Sequence, residues 1–335
     1  MKKYLLPEKC NFYKANLHCH SNVSDGLLSP GELKELYKSR GYSVLAYTDH
    51  DILIPHNDLT DDTFVALSGF EAQFNEYNRY PGRAHEKKCH ICFISPSAEA
   101  ISQPCWHEDY AYIGNVSKYR CEVVADEGSS PYVREYSPES INKMISIARE
   151  KGFFITYNHP AWSLENWEQY MKYDGMHAME IFNNGAEMLG YQSYASYVYD
   201  DMLKGGKKVF AVAADDTHNG KDDAFGGFVM ICAKELKYES ITNALLNGNF
   251  YASTGPEIYE LFMENGKIYI KSSPAVKISL TTDCRMSRCI TAKDGDKICE
   301  AEFEIDMEKC KYFKITVKDE RGNYADTNAY FVEDL

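Results

Sequence analysis

The chain lacks the features of several common protein classes. No run of 18 or more apolar residues occurs, so the sequence predicts no membrane-spanning helix. Only 11 of its 335 residues are proline and 44% are hydrophobic, which excludes collagen-like and disordered chains. Basic residues are also few, since 36 Lys and Arg face 50 Asp and Glu, a net charge of −14. A surface of that sign repels phosphate backbones, so we expect no nonspecific binding to nucleic acid.

A disulfide framework and a secretion signal are missing as well. The 11 cysteines are an odd number and are scattered, which suits a reducing compartment. Cys89 and Cys92 have the spacing of half a zinc ribbon, but no second pair exists and they lie in a predicted strand. The first eight residues lack the apolar core of a signal peptide. We therefore expect a cytoplasmic protein whose cysteines are structural.

What is present is a recurring unit: an amphipathic helix, a glycine, a short apolar strand and a polar cluster rich in His and Asp. The alternation of helix and strand predicts a parallel sheet, here a closed barrel, in which chemistry gathers at the C-terminal strand ends. The helices of three copies begin at Ser29, at Ser137 and near Tyr191, and their strands cover 44–47, 153–157 and 209–214.

The pattern changes near residue 255. Two apolar runs flank Glu264-Asn265-Gly266, which predicts a β-hairpin, and residues 313–318 alternate as a half-buried strand does. We therefore predict a barrel domain over 1–255 and a small antiparallel β domain over 256–335. The polar stretch from about 95 to 136 shows no period and is interpreted as an insertion near the barrel mouth.

Polar clusters end six of the predicted strands. In His18-Cys19-His20 two imidazoles lie two residues apart on a strand, so they point the same way, as a shared metal ion requires. Ordinary core or surface histidines are the alternative, but they do not explain why so many of the ten histidines end apolar strands. The candidate ligands are His18, His20, Asp25, His50, Glu71, His90, His159, Asp216 and His218.

These clusters resemble the ordered motifs of the PHP (polymerase and histidinol phosphatase) domain family. The resemblance covers about residues 12–255 and implies a distorted (β/α)7 barrel with two or three metal ions at the C-terminal strand ends. Many members hydrolyse phosphoesters. The matching segments are Leu17-His18-Cys19-His20-Ser21, Ser24-Asp25-Gly26, Thr48-Asp49-His50-Asp51, Gly69-Phe70-Glu71, His90-Ile91, Asn158-His159-Pro160 and Asp216-Thr217-His218.

The resemblance also implies how the ligands divide. His18, His20, Glu71 and Asp216 would hold a first ion. Glu71 would bridge to a second ion completed by His90 and His159, and Asp25, His50 and His218 would hold a third. Some members carry a histidine at the position of Asp25. A serine is common at the position of Asp215, so the aspartate is expected to add negative charge nearby. Mixed imidazole and carboxylate ligands suit zinc, manganese or iron equally.

The function predicted from this site is hydrolysis of a small, anionic, phosphorylated metabolite or nucleotide. Water shared by two divalent cations loses a proton near neutral pH and becomes a strong nucleophile. Glu71 and His159 are the catalytic candidates on that view, with Asp51 as a proton donor or a support for its neighbour. An ester, carbamate or amide hydrolase on the same site, and a noncatalytic metal-binding module, are the alternatives.

Residues that contact the substrate are weaker predictions. Arg83 and Lys88 lie between two ligand positions, where they either grip a phosphate or belong to a solvated loop. Asn183 follows a predicted strand and is expected in the pocket. Trp162 follows a ligand position and either stacks on a ring of the substrate or packs in the core. The sequence contains neither a glycine-rich phosphate loop nor a Gly-x-Ser-x-Gly elbow.

Overall fold

The computed structural model describes residues 2–77, 85–293 and 295–335. The strands of the N-terminal part are β1 (Lys3–Tyr4), β2 (Asn11–Asn16), β3 (Val44–Tyr47), β4 (Val65–Asn75), β5 (Lys88–Ile94), β6 (Ser102–Gln103), β7 (Val124–Ala125), β8 (Phe154–Tyr157), β9 (Ala178–Asn183), β10 (Phe210–Ala214), β11 (Phe228–Ala233) and β12 (Phe250–Ser253). The later strands are β13 (Ile258–Glu264), β14 (Lys267–Ala275), β15 (Lys277–Thr282), β16 (Arg288–Thr291), β17 (Ile298–Glu304), β18 (Tyr312–Lys318), β19 (Tyr324–Thr327) and β20 (Tyr330–Phe331). The α-helices are α1 (Pro30–Lys38), α2 (Pro138–Glu150), α3 (Trp167–Tyr170), α4 (Asn184–Met188), α5 (Ser196–Lys204) and α6 (Tyr238–Leu246).

One large mixed sheet organises the chain, which confirms the α/β class. Its order is β10-β9-β8-β5-β4-β3-β2-β11-β12-β19-β18-β15-β16, with β20 also on β18. Strands β2, β3 and β4 are parallel, as are β8, β9 and β10. The expectation of a wholly parallel sheet is wrong at β5, which runs antiparallel to both β4 and β8. The start of β5 therefore lies at the same rim as the ends of its parallel neighbours.

The predicted closed barrel is not confirmed. Within the described ranges, no continuous ladder joins β10 back to β2. The segments that follow these two strands do meet, through a parallel bridge between Cys19 and Thr217. The N–H of Asp216 donates to the carbonyl of His18 at 3.0 Å, and the N–H of His20 donates to that of Thr217 at 2.9 Å. The two groups of candidate ligands are thus fixed to each other by main-chain hydrogen bonds.

The first two predicted helices form where their caps indicate. Ser29 and Glu32 make a complete capping box at the start of α1, and the Ser137 hydroxyl accepts from the main chain at the start of α2. The third helix begins later than the apolar stripe suggests. Tyr194 forms a β-bridge with Phe182 instead, so α5 starts only at Ser196.

The C-terminal strands form the predicted antiparallel unit. Asn265 and Gly266 both have positive φ, 51° and 76°, as a tight two-residue hairpin requires. A second sheet, β1-β13-β14-β17, packs on the end of the large sheet around one apolar core. Leu5 and Leu6 from the start of the chain lie in this core, and β12 pairs with β19. The division at residue 255 stays a prediction.

The cysteines depart from the expectation in one place. Cys10 and Cys232 form a disulfide with their Cα atoms 5.5 Å apart. The antiparallel pairing of β2 with β11 places Cys232 opposite Phe12, so these distant cysteines become neighbours. Cys89 and Cys92 are free and buried in β5, as predicted. Among the described residues, no helix is both long and apolar enough to cross a bilayer.

The stretch 95–136 lies against the loops that carry candidate ligands. It contains β6, β7 and short 3-10 turns rather than long elements. The N–H of Asn115 donates to the carbonyl of Ser24 at 2.7 Å, directly before Asp25. Val116 and Ala111 pack with Val23 in a small apolar cluster. The insertion is therefore adjacent to the candidate site.

Candidate metal centre

The nine predicted ligands converge at one rim of the large sheet. His90 lies near the start of β5, and because β5 is antiparallel its start is at this rim. Strand β4 extends past the end of β3, so Glu71 lies beside His50. Their places along the chain are as follows: His18 and His20 follow β2, Asp25 lies in the next loop, His50 follows β3, Glu71 is within β4, His90 is within β5, His159 follows β8, and Asp216 and His218 follow β10.

Glu71 occupies the centre of the cluster. Its side chain is only 1% exposed, and both carboxylate oxygens face imidazole nitrogens. The distances from Oε1 are 3.2 Å to His18 Nε2, 3.2 Å to His159 Nε2 and 3.3 Å to His90 Nδ1, and those from Oε2 are 3.2 Å to His50 Nδ1 and 3.5 Å to His20 Nε2. One carboxylate therefore contacts members of all three expected ligand groups.

Asp216 completes the first group from the opposite side. Its Oδ1 lies 3.1 Å from His20 Nε2 and 3.2 Å from His18 Nε2. These two imidazole nitrogens are themselves 3.1 Å apart. Ligands about 2.1 Å from a common tetrahedral ion lie about 3.4 Å from one another, so these atoms have the spacing of a shared ligand set.

Asp25 gathers the third group at the edge of the cluster. Its carboxylate lies 3.6 Å from His50 Nε2 and 3.5 Å from His218 Nε2. His20 Nδ1 is 3.8 Å away and faces the same point. The side chains of Asp25 and His218 are 33% and 29% exposed, which makes this the most open of the three groups.

Unsatisfied buried nitrogens test whether the site fits a metal. Among the described residues, His20 Nδ1, His50 Nδ1 and both ring nitrogens of His90 are buried and form no hydrogen bond, although the Nδ1 atoms of His50 and His90 lie 3.2 and 3.3 Å from Glu71 oxygens. A buried polar atom left unpaired costs about 1–3 kcal/mol, so several in one place need an explanation. Coordination of divalent cations would satisfy one nitrogen of each ring, and the mixed nitrogen and oxygen donors suit zinc, manganese or iron.

The pKa values of the candidate ligands also suit a metal site. Burial, reinforced by neighbouring imidazoles, lowers the pKa of His20 to about 4, and burial lowers that of His90 to about 4. Both rings are therefore neutral and able to ligate. Burial alone would raise the pKa of Glu71, but the imidazoles around it, His18 among them, hold it well below its usual range. The pKa of Asp216 is held low against burial in the same way, chiefly by His18.

Several supporting residues were missed at the sequence level. Glu180 of β9 is 1% exposed and accepts a hydrogen bond from His18 Nδ1 at 2.7 Å. The Asn158 amide donates to Glu71 Oε1 at 2.7 Å, which fixes the central carboxylate. Asp49 accepts from the main-chain and side-chain donors of Ser21 and Ser24. Glu180 could have been recognised from the sequence. Burial of a carboxylate inside an apolar strand costs free energy unless the charge is paired, so a partner for Glu180 was to be expected.

Two aspartates next to ligands do not face the pocket. Asp51 is fully buried, and its carboxylate binds the Arg134 guanidinium and the side-chain amide of Gln73. Its position does not support a proton donor and agrees with the alternative of a support for His50. Asp215 accepts from the Tyr37 hydroxyl and from the N–H groups of residues 225–227. These donors hold the Asp215 carboxylate, which does not line the pocket, and its effect on the charge near the site stays a prediction.

A pocket of about 320 Å³ opens beside the cluster. Lys88 and Trp162, two of the candidate substrate-binding residues, line it, with the Lys88 ammonium 5.6 Å from the centre of the Trp162 ring. Asn183 does not line it; its amide donates to Glu180 at 2.8 Å and its oxygen caps α4. Arg83 lies outside the described residues. The outer wall is apolar and includes Ile113, Met188 and Leu189.

Comparison with known proteins gives similarities of limited extent. No family model matches the chain. A 40-residue segment is 52% identical to a 5'-3' exoribonuclease of Haemophilus influenzae, and it covers 12% of this chain and 15% of that enzyme. The chain therefore matches well under two thirds of that relative's length.

Solved structures of similar fold have low sequence identity. A two-domain protein from Bacteroides vulgatus, which contains a predicted PHP-like metal-dependent phosphoesterase, is 14% identical, with 98% of this chain and 97% of that chain covered at a TM-score of 0.47. An amidohydrolase from Chromobacterium violaceum is also 14% identical, with 62% of this chain and 89% of that chain covered at a TM-score of 0.39.

Proposed function

We propose that this protein is a PHP-type metal-dependent phosphoesterase that hydrolyses a small phosphorylated metabolite or nucleotide. The observation that carries the proposal is the position of Glu71, whose two oxygens contact imidazoles of three ligand groups beside an open pocket. The same motif segments that resemble the family contribute every member of this cluster. We further propose that two or three ions of zinc, manganese or iron bind here.

When bound, the ions would supply positive charge for a phosphate group and would acidify water for attack on phosphorus. The chain's own residues would then bind and orient the substrate. Lys88 would pair with a phosphate oxygen at the pocket wall, while Trp162 would pack against the rest of the molecule. Asn158 would hold Glu71 in its present orientation throughout.

The charge of the chain supports an essential role for cations. The net charge is −14, and Asp25, Glu71, Asp216 and Asp223 all line the pocket. An anionic substrate would be repelled from these carboxylates if nothing offset them. Within the described part of the chain, Lys88 is the one basic side chain besides histidine at the pocket wall. Metal ions are therefore the main source of positive charge that the proposal requires.

The remaining expectations belong to the same proposal. We propose that the large sheet closes as a distorted (β/α)7 barrel, supported by the hydrogen bonds between the segments after β2 and β10. A boundary near residue 255 is supported by the separate apolar core of the C-terminal strands. We propose a cytoplasmic location on the scarcity of paired cysteines, although the Cys10–Cys232 disulfide is an exception.

A second candidate is hydrolysis of an ester, carbamate or amide that carries no phosphate. The specific observation in its favour is the shortage of basic side chains at the described pocket wall, together with the apolar Ile113, Met188 and Leu189. A neutral substrate would need no cation besides the metal ions. A noncatalytic metal-binding module would not need the open pocket next to the ligands.

One experiment separates these candidates. The protein, loaded in turn with Zn²⁺, Mn²⁺ and Fe²⁺, is assayed on phosphomonoesters, on phosphodiesters including short 5'-phosphorylated oligonucleotides, and on aryl esters and carbamates. Phosphate release with at least one metal, abolished by Glu71→Gln, is the expected result. Turnover of the aryl esters or carbamates alone would favour the second candidate. No turnover by a fully metal-loaded protein would favour the noncatalytic module.

A further inference from the structure

Glu180 is connected to two different ligand residues at once. Its Oε1 accepts from His18 Nδ1 at 2.7 Å, and its Oε2 accepts from the main-chain N–H of His159 at 2.9 Å. Asn183 donates its amide to the same Oε2 at 2.8 Å. Glu180 and its three partners are all buried, so water does not compete for these hydrogen bonds.

The bond to His18 fixes which ring nitrogen is free. A carboxylate only accepts hydrogen bonds, so in the neutral, ligating form of His18 the proton must be on Nδ1. Nε2 then presents its lone pair to the point shared with His20, Glu71 and Asp216. Ligating histidines commonly depend on such a partner, and its loss typically weakens metal affinity 10–100-fold.

The bond to His159 acts on the main chain instead. His159 has a φ of 24°, a conformation that a non-glycine residue adopts only when its surroundings impose it. By accepting the N–H of His159, Glu180 holds this turn, and the turn aims the ring at Glu71. Glu180 thus orients the side chain of His18 in the first expected ligand group and holds the main chain of His159 in the second.

Asn183 extends the connection to a third ligand. Its amide lies 2.8 Å from Glu180 Oε2 and 3.4 Å from Asp216 Oδ2. The Asn183 side-chain oxygen accepts a hydrogen bond from the N–H of Ala186 at 2.7 Å, and this bond opposes a flip of the amide group. Asn183 is therefore locked in the orientation that serves both carboxylates.

We propose that Glu180 is a positioning residue that couples the first and second metal sites by holding His18 and His159 together. The inference rests on the proposed metal centre. It predicts that a change at Glu180 weakens the binding of both ions, although Glu180 itself contacts neither ligand's coordinating atom.

The test uses Glu180→Gln in the full chain and measures Zn²⁺ affinity by competition with a chromogenic chelator. An amide still accepts at one atom but cannot accept at both, so we expect the affinity of two ions to fall about 10–100-fold. The ¹H–¹⁵N spectrum of the histidine side chains in the Zn²⁺-loaded protein should also show a displaced Nδ1–H signature of His18, because a neutral amide replaces the charged acceptor. A purely structural role would not move that signature.

Asp326→Asn is the matched control. Asp326 is another buried carboxylate, which accepts from the Thr316 hydroxyl at 2.6 Å and the Tyr194 hydroxyl at 2.8 Å, far along the chain from any ligand. We expect its variant to lose stability but to keep wild-type Zn²⁺ affinity. Equal affinities of Glu180→Gln and wild type, or an equal loss in both variants, would overturn the inference.

A second variant covers the case in which Glu180→Gln does not fold. Asn183→Ala removes one hydrogen bond to Glu180 and should reduce Zn²⁺ affinity in the same direction by a smaller factor; unchanged affinity would contradict the coupling. These results are separable from the proposed function. A wild-type protein that binds Zn²⁺ but hydrolyses no phosphoester refutes the phosphoesterase and leaves the role of Glu180 intact, whereas one that binds no metal refutes both.

Discussion

Arg134 of the insertion forms a buried ion pair with Asp51, the residue that directly follows His50. The two side chains are 2% and 0% exposed. The Arg134 guanidinium also lies 4.5 Å from the centre of the Tyr110 ring, within the same insertion. The insertion is therefore attached to a ligand loop by a desolvated charge pair as well as by apolar contacts.

Arg134→Met should destabilise the protein strongly. Removal of one partner of a buried pair leaves an uncompensated charge, which costs about 3–5 kcal/mol of unfolding free energy. The double variant Arg134→Met/Asp51→Asn should recover much of that loss because no charge remains buried. Urea denaturation measures both effects. Lys309→Met, which breaks the exposed pair of Lys309 with Asp306, should cost less than about 1 kcal/mol. A similar small cost for Arg134→Met would contradict the prediction.

Metal content should separate Glu71→Gln from His159→Ala. Glu71 contacts ligands of all three groups, so its variant should reduce the occupancy of at least two ions. His159 provides one neutral ring, so its variant should lose one ion and keep the other. Hydrolysis should be nearly abolished in both. Elemental analysis and turnover on the same preparations test this ordering. A His159→Ala protein with full metal content and a near-normal rate would show that the site is misplaced.

Chelation should abolish activity while leaving the fold largely intact. The large apolar cores are built from side chains of the sheet and helices, so metal ions need not supply the folding energy. Far-ultraviolet circular dichroism with and without a chelator should be nearly the same, while phosphate release falls to background and returns when metal is restored. Global unfolding after chelation would refute this.

Lys88→Met should raise KM for an anionic substrate about tenfold with little change in kcat, because one charge-assisted hydrogen bond contributes about 1.5–3 kcal/mol. Lys87→Met is the matched control, since Lys87 is the preceding residue and does not line the pocket. Steady-state kinetics on a phosphomonoester would show the difference. Equal effects of the two variants would remove Lys88 from the proposed substrate contacts.

Glu165 should make stability depend on pH. Burial raises its pKa to about 7, although Tyr157, Tyr173 and Tyr136 donate hydrogen bonds that favour the charged form. Because the folded-state pKa exceeds the unfolded value, the stabilisation is complete below about pH 4.5 and is lost as pH rises through about 7. This amounts to about 3 kcal/mol at 1.36 kcal/mol per pH unit. Denaturation of wild type and Glu165→Gln at pH 5 and pH 8 should show that difference, and parallel pH profiles would contradict it.

The sequence predicted well which residues converge, because each candidate ligand belongs to a local pattern. The His-x-His pair after β2 and the Asp-x-His pair after β10 follow strand ends that hydrophobic runs already indicate. Strands that reach the same rim then bring their polar ends together. Even the error over the direction of β5 did not matter, because His90 near its start lies at that rim.

The supporting contacts could not be predicted in the same way. Glu180 with His18, Arg134 with Asp51 and Cys10 with Cys232 join residues 162, 83 and 222 positions apart. Such pairs depend on the strand order and on the path of the insertion, neither of which has a local signal. The partner of Asp51 was missed for the same reason, since nothing near Asp51 in the sequence identifies Arg134.

The position of β1 has a consequence for how the chain assembles. Lys3 and Tyr4 pair with Met263 and Phe262 of β13, so an edge of the second sheet joins residues about 260 positions apart. Contacts of such long sequence separation form late, because the entropy of closing the loop opposes them. During synthesis, Leu5 and Leu6 cannot pack in their apolar core until the C-terminal strands have been made. The C-terminal unit thus matures after the strands that precede it in the sequence, although it contains residues made before them.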